Sequence, residues 1–179
     1  MSTNQIQAQG MSNMNYKFSP EWTTLTDEEQ NKILAHQSEL PIKIGAIAKE
    51  FGAVVKSATL DTGISGEIKN TDGEIIIRVN RHDSKPRQRF TLAHEIGHLL
   101  LHRDRIGDGI VDDILYRSNL SDTLEAQANR MAADLLMPFH LIEQSLAKYK
   151  DLDNEQRYEA VASEAEVSTT ALKIRLGKL

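Results

Sequence analysis

Two histidines, His94 and His98, lie four residues apart in the segment 91–102, with Glu95 directly after the first of them. Four residues of an α-helix advance about 6 Å and turn about 400°, so both imidazoles project from one face, one turn apart. They can then hold a single metal ion. Glu95 flanks that metal and can receive a proton from a water molecule there. His-Glu-x-x-His on a helix is a zinc-peptidase signature, so the spacing predicts metal-dependent hydrolysis.

The residues around the two histidines are typical of a buried helix. No proline interrupts them, and most are apolar: Phe90, Leu92, Ala93, Ile96, Leu99, Leu100 and Leu101. Gly97 costs roughly 1 kcal/mol of helix propensity. We therefore expect another backbone to approach closely at Gly97. The alternative interpretation is an ordinary amphipathic helix with two hydrogen-bonded histidines.

A catalytic zinc needs three protein ligands and one open position, and Glu125 is the predicted third ligand. It begins a second helical pattern, in which apolar residues recur until Pro138. The small residues Ala128 and Ala132 would let this helix press against the first one and bring Glu125 to the metal. Asn129, one turn after Glu125, could accept the free ring N–H of a ligating histidine. The alternative for Glu125 is a solvent-exposed glutamate at a helix start.

His102 does not complete the site, because it lies about 12 Å along the helix from His94. It is predicted to be a core histidine or one that supports a ligand. The intervening stretch 103–120 is rich in aspartate and contains Gly107 and Gly109. It is predicted to form a wall of the cleft, and Tyr116 within it is a weaker candidate for assisting catalysis.

Two segments of the chain resemble the ImmA/IrrE family of metallopeptidases. They are Arg89-Phe-Thr-Leu-Ala-His94-Glu-Ile-Gly-His98 and Glu125-x-x-Ala-Asn129-x-x-Ala-Ala-x-Leu-Leu-Met-Pro138, and the resemblance extends over roughly residues 41–140. It implies a gluzincin-like site in which His94, His98 and Glu125 bind zinc, or manganese, and Glu95 is the general base. It also implies a partner, since members of the family cleave helix-turn-helix transcriptional regulators inside bacteria. That cleavage relieves repression in stress responses or mobile elements.

The bulk composition favours a soluble protein of the cytoplasm. The 179 residues fit one domain, or a catalytic domain with a small appendage. A formal net charge of −5 disfavours nucleic-acid binding by the chain as a whole. The chain has no cysteine, so disulfides and thiolate chemistry are excluded. No apolar run approaches membrane-spanning length, and we expect no signal peptide.

The predicted fold class is α+β and zincin-like, with a small antiparallel β-sheet packed on the helical core that carries the metal-binding helix. Residues 53–57, 64–69 and 74–80 show strand patterns, and Asp72-Gly73 supplies the last turn. Ile75, Ile77 and Val79 should face the helices. The third strand leads into the metal-binding helix, so we expect it to be the sheet edge along which a substrate adds as an extra strand. A plain structural hairpin is the alternative.

Three regions are predicted along the chain: a disordered tail at 1–18, a metallopeptidase domain at 19–150 and a small helix-turn-helix-like unit at 151–179. A capping box at residues 26–29 opens a helix, and further helices follow Pro41 and Pro138. Residues 155–179 carry four acidic and four basic side chains. This balance favours a packing or partner-docking unit over a DNA reader.

These observations together predict a zinc-dependent endopeptidase whose protein substrate is a helix-turn-helix regulator. The alternative is a metal-bound regulatory or toxin-like protein that binds a partner or DNA without proteolysis. Glu95 argues against that alternative, because binding alone needs no general base.

Overall fold

The computed structural model describes residues 17–107, 109–113 and 122–179, which form seven α-helices and a four-stranded sheet. The elements are α1 (Asp27–Leu34), α2 (Ile44–Glu50), β1 (Ala53–Ala58), β2 (Ile64–Thr71), β3 (Glu74–Asn80), α3 (Lys85–Leu101), β4 (Ile110–Asp113), α4 (Asp122–Leu136), α5 (Phe139–Lys148), α6 (Asn154–Ala165) and α7 (Thr169–Arg175), with 3-10 helices at Pro20–Thr24 and Arg103–Arg105. The α+β class is therefore confirmed. Tyr116 and most of the predicted tail lie outside the described residues.

Helix α3 is the buried centre of the molecule. Pro86 stands in its first turn, where a missing N–H does no harm. Every residue from Thr91 to Leu99 is buried. The helix ends at Leu101, and His102 caps it through a backbone hydrogen bond to His98. The prediction of a buried helix around the two histidines is confirmed.

The sheet is mixed, with the strand order β1-β3-β2-β4. Strand β2 runs antiparallel to both β3 and β4, whereas β1 runs parallel to β3. The prediction of an antiparallel sheet is wrong at that pair. The connection between β1 and β2 and the β2–β3 hairpin each reverse the direction of the chain, so β1 and β3 point the same way.

The prediction that β3 is the sheet edge is also wrong. Both sides of β3 are occupied, by β1 and by β2, so its backbone groups have no room for a further strand. The edge on the far side of β2 is β4, which pairs Ile110 with Ile68. Strand β4 lies in the polar stretch predicted as a cleft wall. Ile110 anchors it, with no exposed surface.

The core fills the space between the sheet and the helices. Its sheet side is formed by Ile68, Ile77, Val79 and Ile110, and its α3 side includes Leu92, Ile96 and Leu99. The predicted inner face of β3 is thus confirmed at Ile77 and Val79. Asn80 is also buried, and its side-chain amide donates a 2.8 Å hydrogen bond to the Ile64 carbonyl.

The C-terminal helices pack onto the two helices that carry the site. The α6–α7 turn places Glu166 against the start of α3, where Lys85 Nζ lies 2.5 Å from its carboxylate. Arg175 of α7 donates to Asp134 of α4 at 2.7 Å, and Asp134 is fully buried. Ser168 caps α7 by accepting from the Ala171 N–H. The domain boundaries at 18 and 150 remain predictions, although Phe18 already stacks on Trp22.

Among the described residues, no helix is both long enough and apolar enough to cross a membrane.

Candidate metal centre

His94, His98 and Glu125 converge at the contact between α3 and α4. Their potential ligand atoms all lie within 4.8 Å of one another. The two Nε2 atoms are 3.0 Å apart. The Glu125 carboxylate lies 3.2 Å from His94 Nε2 and 3.4 Å from His98 Nε2. All three side chains are buried. The structure thus brings together the three residues that the sequence singles out.

These separations fit a tetrahedral ion. Zinc binds histidine nitrogen and carboxylate oxygen at about 2.0–2.2 Å, which places neighbouring tetrahedral ligands about 3.3 Å apart. The observed distances of 3.0, 3.2 and 3.4 Å lie close to that value, with Glu125 Oε2 nearest to His94 and Glu125 Oε1 nearest to His98. Two imidazoles and one carboxylate are also a donor set that suits zinc or manganese. Three protein ligands leave one position for a substrate or a water molecule.

The close approach predicted at Gly97 is the contact that sets the geometry of the site. A Cβ atom at Gly97 would lie 2.9 Å from the Ala128 carbonyl oxygen and 3.1 Å from its Cα. Glycine is therefore needed there for α4 to approach α3. Ala128 and Ala132 are fully buried in this contact, and Glu125 stands one turn before Ala128. The small-residue contact predicted from the sequence is confirmed.

Asn129 lies behind His94. Its Oδ1 is 2.9 Å from His94 Nδ1, the ring nitrogen that does not face the three-residue cluster. The amide oxygen can accept the Nδ1–H of a neutral imidazole, which leaves Nε2 as the metal-binding nitrogen. This is the contact that the sequence predicts for Asn129, while its part in metal binding stays a prediction.

His102 lies behind His98 in a similar way. The Nδ1 atoms of the two rings are 2.9 Å apart, and His102 Nε2 lies 3.0 Å from Gln127 Oε1. Burial lowers the pKa of His102, and the Gln127 hydrogen bond only partly offsets this effect. Desolvation thus favours the neutral imidazole. His102 therefore contacts His98 but is not one of the three residues of the metal cluster.

Glu95 points from α3 to strand β2 and is fully buried. A Cβ atom at Gly66 of β2 would lie 2.7 Å from Glu95 Oε1 and would collide with the Thr91 methyl group. Next to Gly66, the hydroxyl of Ser65 accepts hydrogen bonds from Arg87 at the start of α3. The Arg87–Ser65 hydrogen bonds therefore hold β2 against α3 next to Gly66, the residue that contacts Glu95.

Sequence reasoning misses two residues of the site. Gln127 lies two residues from Glu125, about 200° around the helix, so helical spacing does not connect it with the metal. Gly66 is a glycine within a strand, a feature that often marks a close backbone approach. That signal is present in the sequence and could have indicated Gly66.

Glu95 is buried next to His94 on α3, and the His94–His98–Glu125 cluster lies where α3 contacts α4, beside a small sheet. This arrangement defines the zincin-like class of metallopeptidase folds. Within that class, the chain belongs to the peptidase M78 family. The model of this family, described as the IrrE N-terminal-like domain, matches residues 48–177. The predicted relationship to the ImmA/IrrE metallopeptidases is therefore confirmed.

Similar curated proteins include two that are named radiation response metalloprotease IrrE. The protein from Deinococcus deserti is 39% identical over 77 residues, which cover 41% of this chain and 26% of that protein. The protein from Deinococcus radiodurans is 36% identical over 74 residues, which cover 41% of this chain and 23% of that protein. The chain thus aligns with about a quarter of the length of these relatives.

Proposed function

We propose that this protein is a zinc-dependent endopeptidase of the cytoplasm that cleaves a helix-turn-helix transcriptional regulator and relieves its repression. His94, His98 and Glu125 are the metal ligands and Glu95 is the general base. The observation that carries the proposal is the convergence of two buried imidazoles and one buried carboxylate, with N–N and N–O distances of 3.0–3.4 Å, and with the buried Glu95 next to His94 in the chain. Membership of the peptidase M78 family supports the peptidase chemistry.

When bound, zinc lowers the pKa of water towards neutrality and polarises a peptide carbonyl. Glu95 takes the proton of the attacking water and delivers it to the departing amine. Gly66 leaves the Glu95 carboxylate the space that a Cβ atom would occupy. Asn129 holds the His94 ring in the tautomer that presents Nε2 to the metal.

The substrate strand, in our proposal, adds along β4. Gly66 of β2 lies over Glu95 and pairs with Asp112 of β4. The other side of β4 faces no strand among the described residues. A further strand would lie about 4.8 Å beyond it, bound by main-chain hydrogen bonds. Folded proteins rarely offer an extended strand, so the cut should fall in a loop or a locally unfolded segment of the regulator.

The C-terminal unit, residues 151–179, would dock the regulator and raise its effective concentration at the metal. Ile174 of α7 supports this role, because 63% of its surface is exposed. Arg175 forms a salt bridge with Asp134, and Lys173 forms one with Glu155. Because both basic side chains are paired within the chain, they argue against a DNA-reading helix. Ile174→Asp should impair cleavage of the whole regulator more than cleavage of a short peptide that spans the cut. Val54→Asp, on the exposed side of the sheet, is the matched control.

The direct test is co-expression with candidate regulators, followed by mass spectrometry of the fragments. Glu95→Gln should keep the fold and the metal but stop hydrolysis, because an amide cannot take the proton. Glu143→Gln, at an exposed glutamate of α5, should behave as wild type. If wild type and Glu95→Gln lift repression equally and no fragment forms, the protein acts by binding and the proposal is wrong.

Metal content tests the ligand set separately. Purified protein should hold about one zinc per chain, since three ligands serve one ion. His94→Ala and Glu125→Ala should each lose most of it. Full occupancy in Glu125→Ala would remove Glu125 from the site.

A further inference from the structure

Three side chains form a series that leads away from the proposed metal position. His98 Nδ1 lies 2.9 Å from His102 Nδ1, and His102 Nε2 lies 3.0 Å from Gln127 Oε1. His98 is fully buried and His102 is 4% exposed. The series starts on α3 and ends on α4, the helix that also carries Glu125 and Asn129.

The positions of the hydrogens in this series follow from its geometry. Two Nδ1 atoms at 2.9 Å can share a single hydrogen, so one ring donates and the other accepts. A His98 that gives Nε2 to a metal is neutral and carries its hydrogen on Nδ1. His98 is then the donor and His102 Nδ1 is the acceptor. The hydrogen of neutral His102 must therefore be on Nε2, where the Gln127 carbonyl oxygen accepts it.

We propose that His102 and Gln127 are positioning residues that fix the ring of His98 as a metal ligand. This inference rests on the ligand set of the proposed function. In this arrangement, His102 accepts the Nδ1–H of His98, just as Asn129 accepts the Nδ1–H of His94. Side chains of α4 then orient both histidines: Asn129 contacts His94 directly, and Gln127 acts on His98 through His102. Both lie within residues 125–129, which also supply the third ligand. Zinc affinity accordingly depends on hydrogen-bond acceptors that do not touch the metal.

A purely structural role for His102 makes a different prediction, and matched substitutions separate the two. His102→Asn keeps an acceptor near the place of Nδ1, whereas His102→Leu keeps bulk and removes the acceptor. If His102 only fills the core, the apolar leucine should be tolerated at least as well as asparagine. If it positions His98, asparagine should rescue zinc binding and leucine should not.

The same logic applies to Gln127. Gln127→Glu keeps a carboxylate oxygen that accepts from His102 Nε2–H, and Gln127→Leu removes the acceptor. The second variant frees His102 to place its hydrogen on Nδ1, opposite the hydrogen of His98. Gln127→Glu should therefore retain zinc binding, and Gln127→Leu should weaken it.

The experiment measures zinc dissociation constants for the full chain by competition with a chelator, with circular dichroism to establish that each variant is folded. We expect a roughly 10- to 100-fold weaker affinity for His102→Leu and for Gln127→Leu. We expect His102→Asn and Gln127→Glu to stay within a few-fold of wild type. Equal affinities for His102→Leu and His102→Asn, or for Gln127→Leu and Gln127→Glu, would overturn the proposal.

Histidine nitrogen NMR on the zinc-loaded wild type provides a second measurement that needs no variant. His102 should carry its hydrogen on Nε2, and His98 should carry its hydrogen on Nδ1. A hydrogen on His102 Nδ1 would overturn the positioning role even if zinc binds. Failure of wild type to bind zinc would instead defeat the ligand set of the proposed function, and the positioning role with it.

Discussion

The contact between Gly97 and Ala128 allows the dependence of the site on helix packing to be tested with one added methyl group. In Gly97→Ala, the new Cβ would lie 2.9 Å from the Ala128 carbonyl oxygen and 3.1 Å from its Cα. Both are backbone atoms, so no side-chain rotation relieves the clash. Reaching an ordinary contact of about 3.4 Å requires α4 to move by about 0.5 Å. Glu125 moves with it, because it stands one turn away on the same helix.

Two opposing effects set the expected stability of Gly97→Ala. Alanine gains about 1 kcal/mol of helix propensity over glycine. Overpacking of a close contact costs about 1–3 kcal/mol. The free energy of unfolding of the metal-free protein should therefore fall by about 0–2 kcal/mol. Loss of a residue that only orients a metal ligand costs about 10- to 100-fold in affinity. A 0.5 Å movement of the ligand Glu125 itself should therefore weaken zinc binding at least about tenfold.

Gly45→Ala is the matched control, because Gly45 is also helical and a Cβ there would meet nothing within 4 Å. This variant should raise the unfolding free energy by up to about 1 kcal/mol and leave zinc binding unchanged. Urea unfolding in the presence of a chelator measures stability without the contribution of the metal. Chelator competition measures zinc affinity. If Gly97→Ala stabilises the protein as Gly45→Ala does and binds zinc normally, the proposed role of this contact is wrong.

Three further predictions concern other parts of the site and its support. Gly66→Ala should reduce peptide hydrolysis strongly while zinc content stays near one per chain, because the added Cβ displaces Glu95 and not a ligand; loss of zinc together with activity would contradict this. Asn129→Ala should weaken zinc binding roughly 10- to 100-fold, and chelator competition that gives the wild-type affinity would remove its positioning role. A hydrogen bond from Lys85 holds the pKa of Glu166 below its usual value. This contact therefore stabilises the fold at pH values above the unfolded-state pKa of the glutamate. The stabilisation is lost as the pH falls through the folded-state pKa. Glu166→Gln should therefore be less stable than wild type at neutral pH, with a difference that shrinks on acidification, and a constant difference across unfolding curves at several pH values would refute the assignment.

The geometry within each helix is determined by the sequence. The spacing of His94 and His98 places both rings on one face whatever surrounds them, because the helical period is set by the backbone. The same period relates Glu125 to Asn129, and Gly97 indicates a close helix–helix contact. The His-Glu-x-x-His pattern requires a third metal ligand, and this requirement suggests that the helix carrying Glu125 contacts the helix of the two histidines. For these reasons the three-residue cluster and the histidine–asparagine contact can be predicted from the sequence alone.

The arrangement of the sheet is decided only by the tertiary structure. Alternating patterns locate β1, β2 and β3 but carry no information about their order, because strand pairing joins residues far apart in sequence. Strand β4 is short and lies in a polar stretch, so the place of Ile110 becomes evident only where it packs beside β2. The contact of Gln127 with His102 and the place of Gly66 above Glu95 likewise depend on how separate elements cross. Local periodicity fixes where a side chain points on its own element, whereas only the packing of all elements decides what it meets.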